Sequence, residues 1–139
     1  MTPTLKKHSL ILLIAISLLG TLLQGRPQDS PTIKFYLGDT EIDVKDGVAL
    51  KDLPQLKIKV VPNDRSYTLH KWKMYLRRGT ELGSGIDGSG ENLGIQNPFG
   101  QKGDVISIDI QTLLRTDANG QKQRVPLSEE MKYLSIAIK

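Results

Sequence analysis

An all-β fold is what this sequence predicts: two antiparallel sheets packed face to face, immunoglobulin-like, with about seven short strands. Three observations predict it. Apolar and polar residues alternate over short stretches, the two-residue period of a strand with one face buried. Clusters of Gly, Pro, Asn and Asp separate those stretches. No stretch of the region after residue 25 repeats its apolar residues at helical spacing for more than a turn or two. One polar face per strand suits an antiparallel sheet covered on one side by another sheet. A small barrel is the alternative.

Taken in order, residues 1–25 read as an export signal. Lys6 and Lys7 precede an uncharged, nearly all-apolar run, Ser9 to Leu23. That run is shorter than the roughly 20 residues that span a bilayer. Gln24, Gly25, Arg26 and Pro27 end it, so cleavage near Gly25 is expected; an uncleaved anchor is the alternative. Residues 26–32 form a polar leader, and residues 33–139 are expected to form one domain.

Within that domain Ile33–Leu37 is a strand candidate, followed by a Gly38-Asp39 turn and a short edge strand, Glu41–Val44. Val48, Leu50 and Leu53 fit a helical turn or an apolar loop. Leu56–Val61 alternates strictly, with Leu56, Ile58 and Val60 inward and Lys57 and Lys59 outward. Pro62-Asn63-Asp64 ends it. Thr68–Arg78 repeats the pattern, with His70, Trp72, Met74 and Leu76 expected inward and Leu69, Lys71, Lys73, Tyr75 and Arg77 outward. Gly79–Gly103 holds eight glycines and reads as a long surface loop, with a brief strand near Leu93 and Ile95. Val105–Leu114 is the strongest strand, with Ile106, Ile108, Ile110, Thr112 and Leu114 on one face. Asp117-Ala118-Asn119-Gly120 reads as a hairpin turn. Gln121–Leu127 returns from it, and Pro126 places that strand at an edge or at its own end. Ser128–Glu130 suits a helical turn, and Tyr133–Ile138 is the last strand.

Composition removes several functions. The 139 residues contain no Cys, which excludes disulfides, thiolate metal sites and a cysteine nucleophile. Two His residues, one of them His8 in the expected export signal, exclude a histidine-cluster metal site. The formal charge is +4, but residues 1–25 carry only Lys6 and Lys7, so +2 remains without them. That near balance argues against nucleic-acid binding driven by bulk charge.

The C-terminal half carries a resemblance. Tyr75-Leu76-Arg77-Arg78-Gly79-Thr80, a glycine-rich stretch, and then Gln101-Lys102-Gly103-Asp104 running into Val105–Ile110 are similar to the C-terminal domain of the GldM (PorM) family. That family belongs to gliding motility and type IX secretion. The hairpin Asp117–Leu127, with Arg124 before Val125, and the last strand Leu134–Lys139 extend the match. It covers residues 66–139. The resemblance implies an immunoglobulin-like module that binds other envelope proteins and is not an enzyme. The chain lacks the long helical region of full-length family members.

Candidate chemistry is sparse. Gly83-Ser84-Gly85-Ile86-Asp87-Gly88 matches G-x-G-x-x-G, but no helix follows to receive a pyrophosphate. Asp87–Asn92 alternates oxygen-bearing side chains as calcium loops do, yet Asn92 and Pro98 occupy the positions of the required Gly and Glu. His70 could serve as an acid or base only beside a nucleophile, and no G-x-S-x-G accompanies it. No cofactor or metal is expected. The remaining candidate is a basic set, Lys57, Lys59, Lys71, Lys73, Tyr75 and Arg77. These share one exposed face if their two strands pair; that face is either a plain solvated surface or, since like charges set opposite each other cost stability, one that meets an anionic partner. The expectation is an exported, periplasmic or secreted, non-catalytic module that binds an envelope or secretion-machinery protein through a strand edge or the long loop. Membrane contact is expected only through the N-terminal segment. A small hydrolase acting on carbohydrate polymers and a structural or adhesive surface domain are the alternatives.

Overall fold

A computed structural model describes residues 31–62 and 66–139. The expected export signal, residues 26–30 of the expected leader, and the turn residues Asn63 and Asp64 lie outside them. The described residues form two antiparallel sheets, a β-sandwich. The smaller sheet holds β1 (Thr32–Leu37), β2 (Thr40–Glu41) and β3 (Leu56–Val61) in the order β2-β1-β3. The larger is built on two 12-residue strands, β4 (Tyr67–Arg78) and β7 (Val105–Thr116). Along one side of β4 lie β5 (Glu81–Leu82) and β6 (Ile86–Gly88). Along the far side of β7 lie β8 (Lys122–Arg124) and β9 (Tyr133–Ala137). The strands beyond the expected seven are β5 and β6, which at two and three residues are too short to display a period.

Register explains the core. In the small sheet Ile33 pairs with Val60, Phe35 with Ile58 and Leu37 with Leu56. In the large sheet Trp72 pairs with Ile110, Met74 with Ile108 and Leu76 with Ile106. Each pairing sets apolar side chains side by side on the inward face, and the two faces form one buried cluster. Val48 and Leu53 join it from the segment between β2 and β3, which holds two 3-10 turns, Val44–Asp46 and Leu50–Gln55. Met131 joins it from α1 (Glu129–Lys132), a single turn capped by Ser128, whose Oγ accepts from the Met131 amide at 3.3 Å.

Two expectations are corrected. The first concerns the facing of β4 and β7. Leu69, expected outward, is buried; His70, expected inward, is exposed; Trp72 is buried as expected. On β7 Thr112 and Leu113 are both buried, while Leu114 is only partly so. The ladder runs Leu69↔Leu113, Lys71↔Thr112, Trp72↔Ile110, so His70 and Gln111 are each an extra residue. A bulge adds one residue and reverses the alternation beyond it. Here the two strands bulge within two residues of each other, so both change phase and their pairing resumes in register.

The second concerns the glycine-rich region, which is more than a surface loop. It contributes β5 and β6, and Leu93 and Ile95 are buried in the core. Its backbone is tied first to β4, where the Gly83 N–H donates to Leu76 O at 2.8 Å and the Gly90 N–H donates to Leu69 O at 2.7 Å. It then crosses to the small sheet, where the Ile58 N–H donates to Glu91 O at 2.9 Å and Asn92 bridges Lys57. Gly88 is needed where the crossing begins, because a Cβ there would stand 2.1 Å from the Trp72 ring. Trp72 in turn donates its Nε1–H to Gly90 O at 2.9 Å.

Candidate functional site

The basic set does not assemble. Lys57 and Lys59 lie on β3 in the small sheet; Lys71, Lys73, Tyr75 and Arg77 lie on β4 in the large one. The two strands do not pair, so the six side chains occupy the outer surfaces of different sheets. On the small sheet the charge is largely answered locally. Lys59 Nζ reaches Asp39 at 3.4 Å and stands 5.0 Å from the Tyr36 ring centroid. Lys34, directly opposite Lys59, pairs with Glu41 at 2.9 Å. On the large sheet Lys73 faces Asp87 at 4.0 Å.

The outer surface of the large sheet instead holds a groove of about 420 Å³. Cross-strand register builds it in rows. One row runs Asp87, Lys73, Asp109, Tyr133 across β6, β4, β7 and β9. The next runs Tyr75, Ser107, Ser135, and the third runs Leu82, Arg77, Val105, Ala137. Small hydroxyl residues therefore lie between two tyrosines, with Leu82 and Arg77 at one border. Leu82 and Tyr133 are 58% and 55% exposed. Lys132 Nζ packs 5.2 Å from the Tyr133 ring centroid. Asp109 also lines the groove, and its Oδ1 is buried with no hydrogen-bond donor among the described residues.

A second opening lies between the sheets, at their β1–β2 side. It is a slot of about 560 Å³ lined by Ile33, Phe35, Ile42, Val44 and Leu134, with Lys34, Glu41 and Asp43 at its lip. β2 covers only the end of β1, at Tyr36 and Leu37, and the Ile42 N–H donates to Phe35 O at 3.0 Å. Backbone polar groups alternate sides along a strand, so those of Ile33 point the same way, beyond the reach of β2. Facing the slot, β9 is bridged by Val48 only at its end, next to Ile138. Both strands thus present stretches of edge with no paired strand among the described residues.

Asp104 anchors a buried polar contact. It accepts two hydrogen bonds from the Arg78 guanidinium, both at 2.9 Å, and a third from the Gln101 amide at 2.9 Å. Its side chain is 2% exposed. The Arg78 hydrogen bonds hold its carboxyl below the usual carboxylate range. This contact pins the end of the glycine-rich region to β4, and the Ile138 N–H donates to Asp104 O at 2.8 Å to fasten the last strand to the same point.

The other motifs settle into structure. In the Gly83–Gly88 motif the first three residues link β5 to β6, the last three are β6 itself on the edge of β4, and the next element is β7, not a helix. Among the described residues no group of three or more His, Asp or Glu converges as a metal site, Asp87 and Glu91 included. His70 stands exposed on its bulge. The groove residues Ser107, Asp109, Tyr133 and Ser135 were not singled out from the sequence. Their alternation with buried Ile106, Ile108 and Ile136 marks them as outward, but only the pairing of β4, β7 and β9 shows that they meet. No family model, curated protein or solved structure matches this chain.

Proposed function

We propose that this chain is an exported, non-catalytic protein-interaction module of the cell envelope. It receives an extended segment of an envelope or secretion-machinery protein at the open side of its sandwich. The observation that carries this reading is the slot between β1 and β9. An added strand would pair its backbone with an uncovered edge and lay alternate side chains on Ile33, Phe35 and Leu134, the mode of β-strand addition. Val44, 49% exposed at the mouth, would be covered by the same event. Export rests on the signal-like residues 1–25, and an envelope partner on the resemblance to GldM-type domains.

The test is site-specific photocrosslinking in intact cells, with the crosslinker at Val44 and, as a control, at His70 on the other sheet. The expected result is one envelope protein captured at Val44 and not at His70, with the crosslinked peptide mapping to an extended segment. Val44→Asp, which places a charge at the mouth without touching the core, should abolish capture. Equal capture at both positions, or capture unaffected by Val44→Asp, refutes the reading.

A further inference from the structure

We infer that the groove on the outer face of the large sheet is a binding site for a neutral oligosaccharide, a site separate from the slot between the sheets. The argument begins with the ligand that its chemistry would accept. Its volume of about 420 Å³ falls within the range of roughly 300–1,000 Å³ typical of small-ligand sites. The walls are Tyr75, Leu82 and Tyr133, and the floor between them carries the hydroxyls of Ser107 and Ser135. Tyr75 and Tyr133 stand two strands apart, roughly 10 Å, and one side-chain pair apart along the strands. A pyranose chain presents apolar C–H faces to such rings and hydroxyls at its edges. Those hydroxyls both donate and accept, as serine hydroxyls do.

Asp109 selects further. It is half-buried and lines the groove, and a carboxylate there accepts from ligand hydroxyls. A phosphate or sulfate would meet a like charge. Arg77, exposed at the border, supplies donors for the ring and hydroxyl oxygens of the same chain. The four chemistries of the groove, namely aromatic face, hydroxyl, carboxylate acceptor and guanidinium donor, match a sugar together. An acyl chain would use only the first, and an anion would be opposed by the Asp109 carboxylate.

The experiment titrates the folded domain with cellohexaose, chitohexaose, mannohexaose and xylohexaose, read by calorimetry and by amide chemical shifts. At least one should bind saturably, with shifts centred on Tyr75, Ser107, Asp109 and Ser135. Asp109→Ala, which removes the carboxylate acceptor altogether, should weaken that binding about tenfold, the scale of one lost ligand hydrogen bond. Tyr133→Ala should weaken it by at least as much. Ser135→Trp fills the floor from an exposed position, away from the core, and should abolish it; a circular dichroism melt confirms folding of each variant. The proposal fails if no hexasaccharide binds at millimolar concentration. It fails equally if polyethylene glycol of similar length produces the same shifts, or if Ser135→Trp leaves binding intact. Crosslinking at Val44 does not depend on any of these outcomes.

Discussion

Asp104 shows how one residue can fasten three parts of the chain. Its carboxylate holds Arg78 of β4 and the Gln101 amide, and its carbonyl holds Ile138. Arg78 lowers its pKa in the folded state, so the folded protein binds this proton less readily than the unfolded chain does. The contribution is therefore fully present above the ordinary carboxylate pKa of about 3.9 and fades as pH falls through the lower folded value. Asp104→Asn should lower the Tm at neutral pH by several degrees. It should also flatten the dependence of Tm on pH below about pH 4, measured by calorimetry against the native protein. A variant curve parallel to the native one would remove Asp104 from the account of acid sensitivity. In the sequence Gly103-Asp104 is a common lead-in to an apolar strand; nothing in that dipeptide announces a partner 26 residues away.

Among the elements, the paired bulge of β4 and β7 is the feature that alternation alone misreads. A period of two extrapolated along Thr68–Arg78 carries His70 inward, because the extra residue is invisible to the pattern. The structure keeps Leu69 and Trp72 buried by displacing His70 and Lys71 to the surface. Gln111 makes the matching displacement on β7. Deleting one of the two extra residues should shift the ladder beyond the bulge and turn one strand's apolar face outward. Deleting His70 alone, or Gln111 alone, should thus sharply destabilise the domain. Deleting both should restore a cooperative melt and native-like amide dispersion. If the double deletion is no more stable than either single one, the bulges have a role other than mutual phase correction.

For the domain from Pro31 to Lys139, each sheet is joined to the other through connecting segments. On one side the glycine-rich region runs from β4 to β3; on the other, Val48 bridges the last residues of the chain. The first connection begins where Gly88 lies against the Trp72 ring. Gly88→Ala should force the ring or the backbone to move, and the disturbance should travel along the segment to the small sheet. The expected result is a fall of several degrees in Tm and a loss of hydrogen-exchange protection at the Ile58 amide, which bonds to Glu91. Protection unchanged at Ile58 alongside a lower Tm would show that the crossing is not mechanically continuous. The side near β1 and β9 is left less covered, and the proposed partner segment would enter there.

The chain's local pattern determined that it is a β protein, which strands carry its core, and where its turns fall. Period, turn chemistry and apolar run length are properties of neighbouring residues. Leu56–Val61 and the first half of Val105–Leu114 face as their alternation requires. Asp117–Gly120 turns as its residues require, with Gly120 at φ 80° and Asp117 Oδ1 accepting from the Asn119 and Gln121 amides. What only the tertiary structure decided was which strands are neighbours. That choice separated Lys57 and Lys59 from Lys71, Lys73, Tyr75 and Arg77, and it brought Tyr75, Ser107 and Ser135 into one row. Strand pairing depends on contacts between segments distant in the chain, and an alternating strand exposes the same polar face whichever neighbour it takes. Outside the paired bulge the core faces could therefore be read one strand at a time, whereas a surface shared by three strands could not.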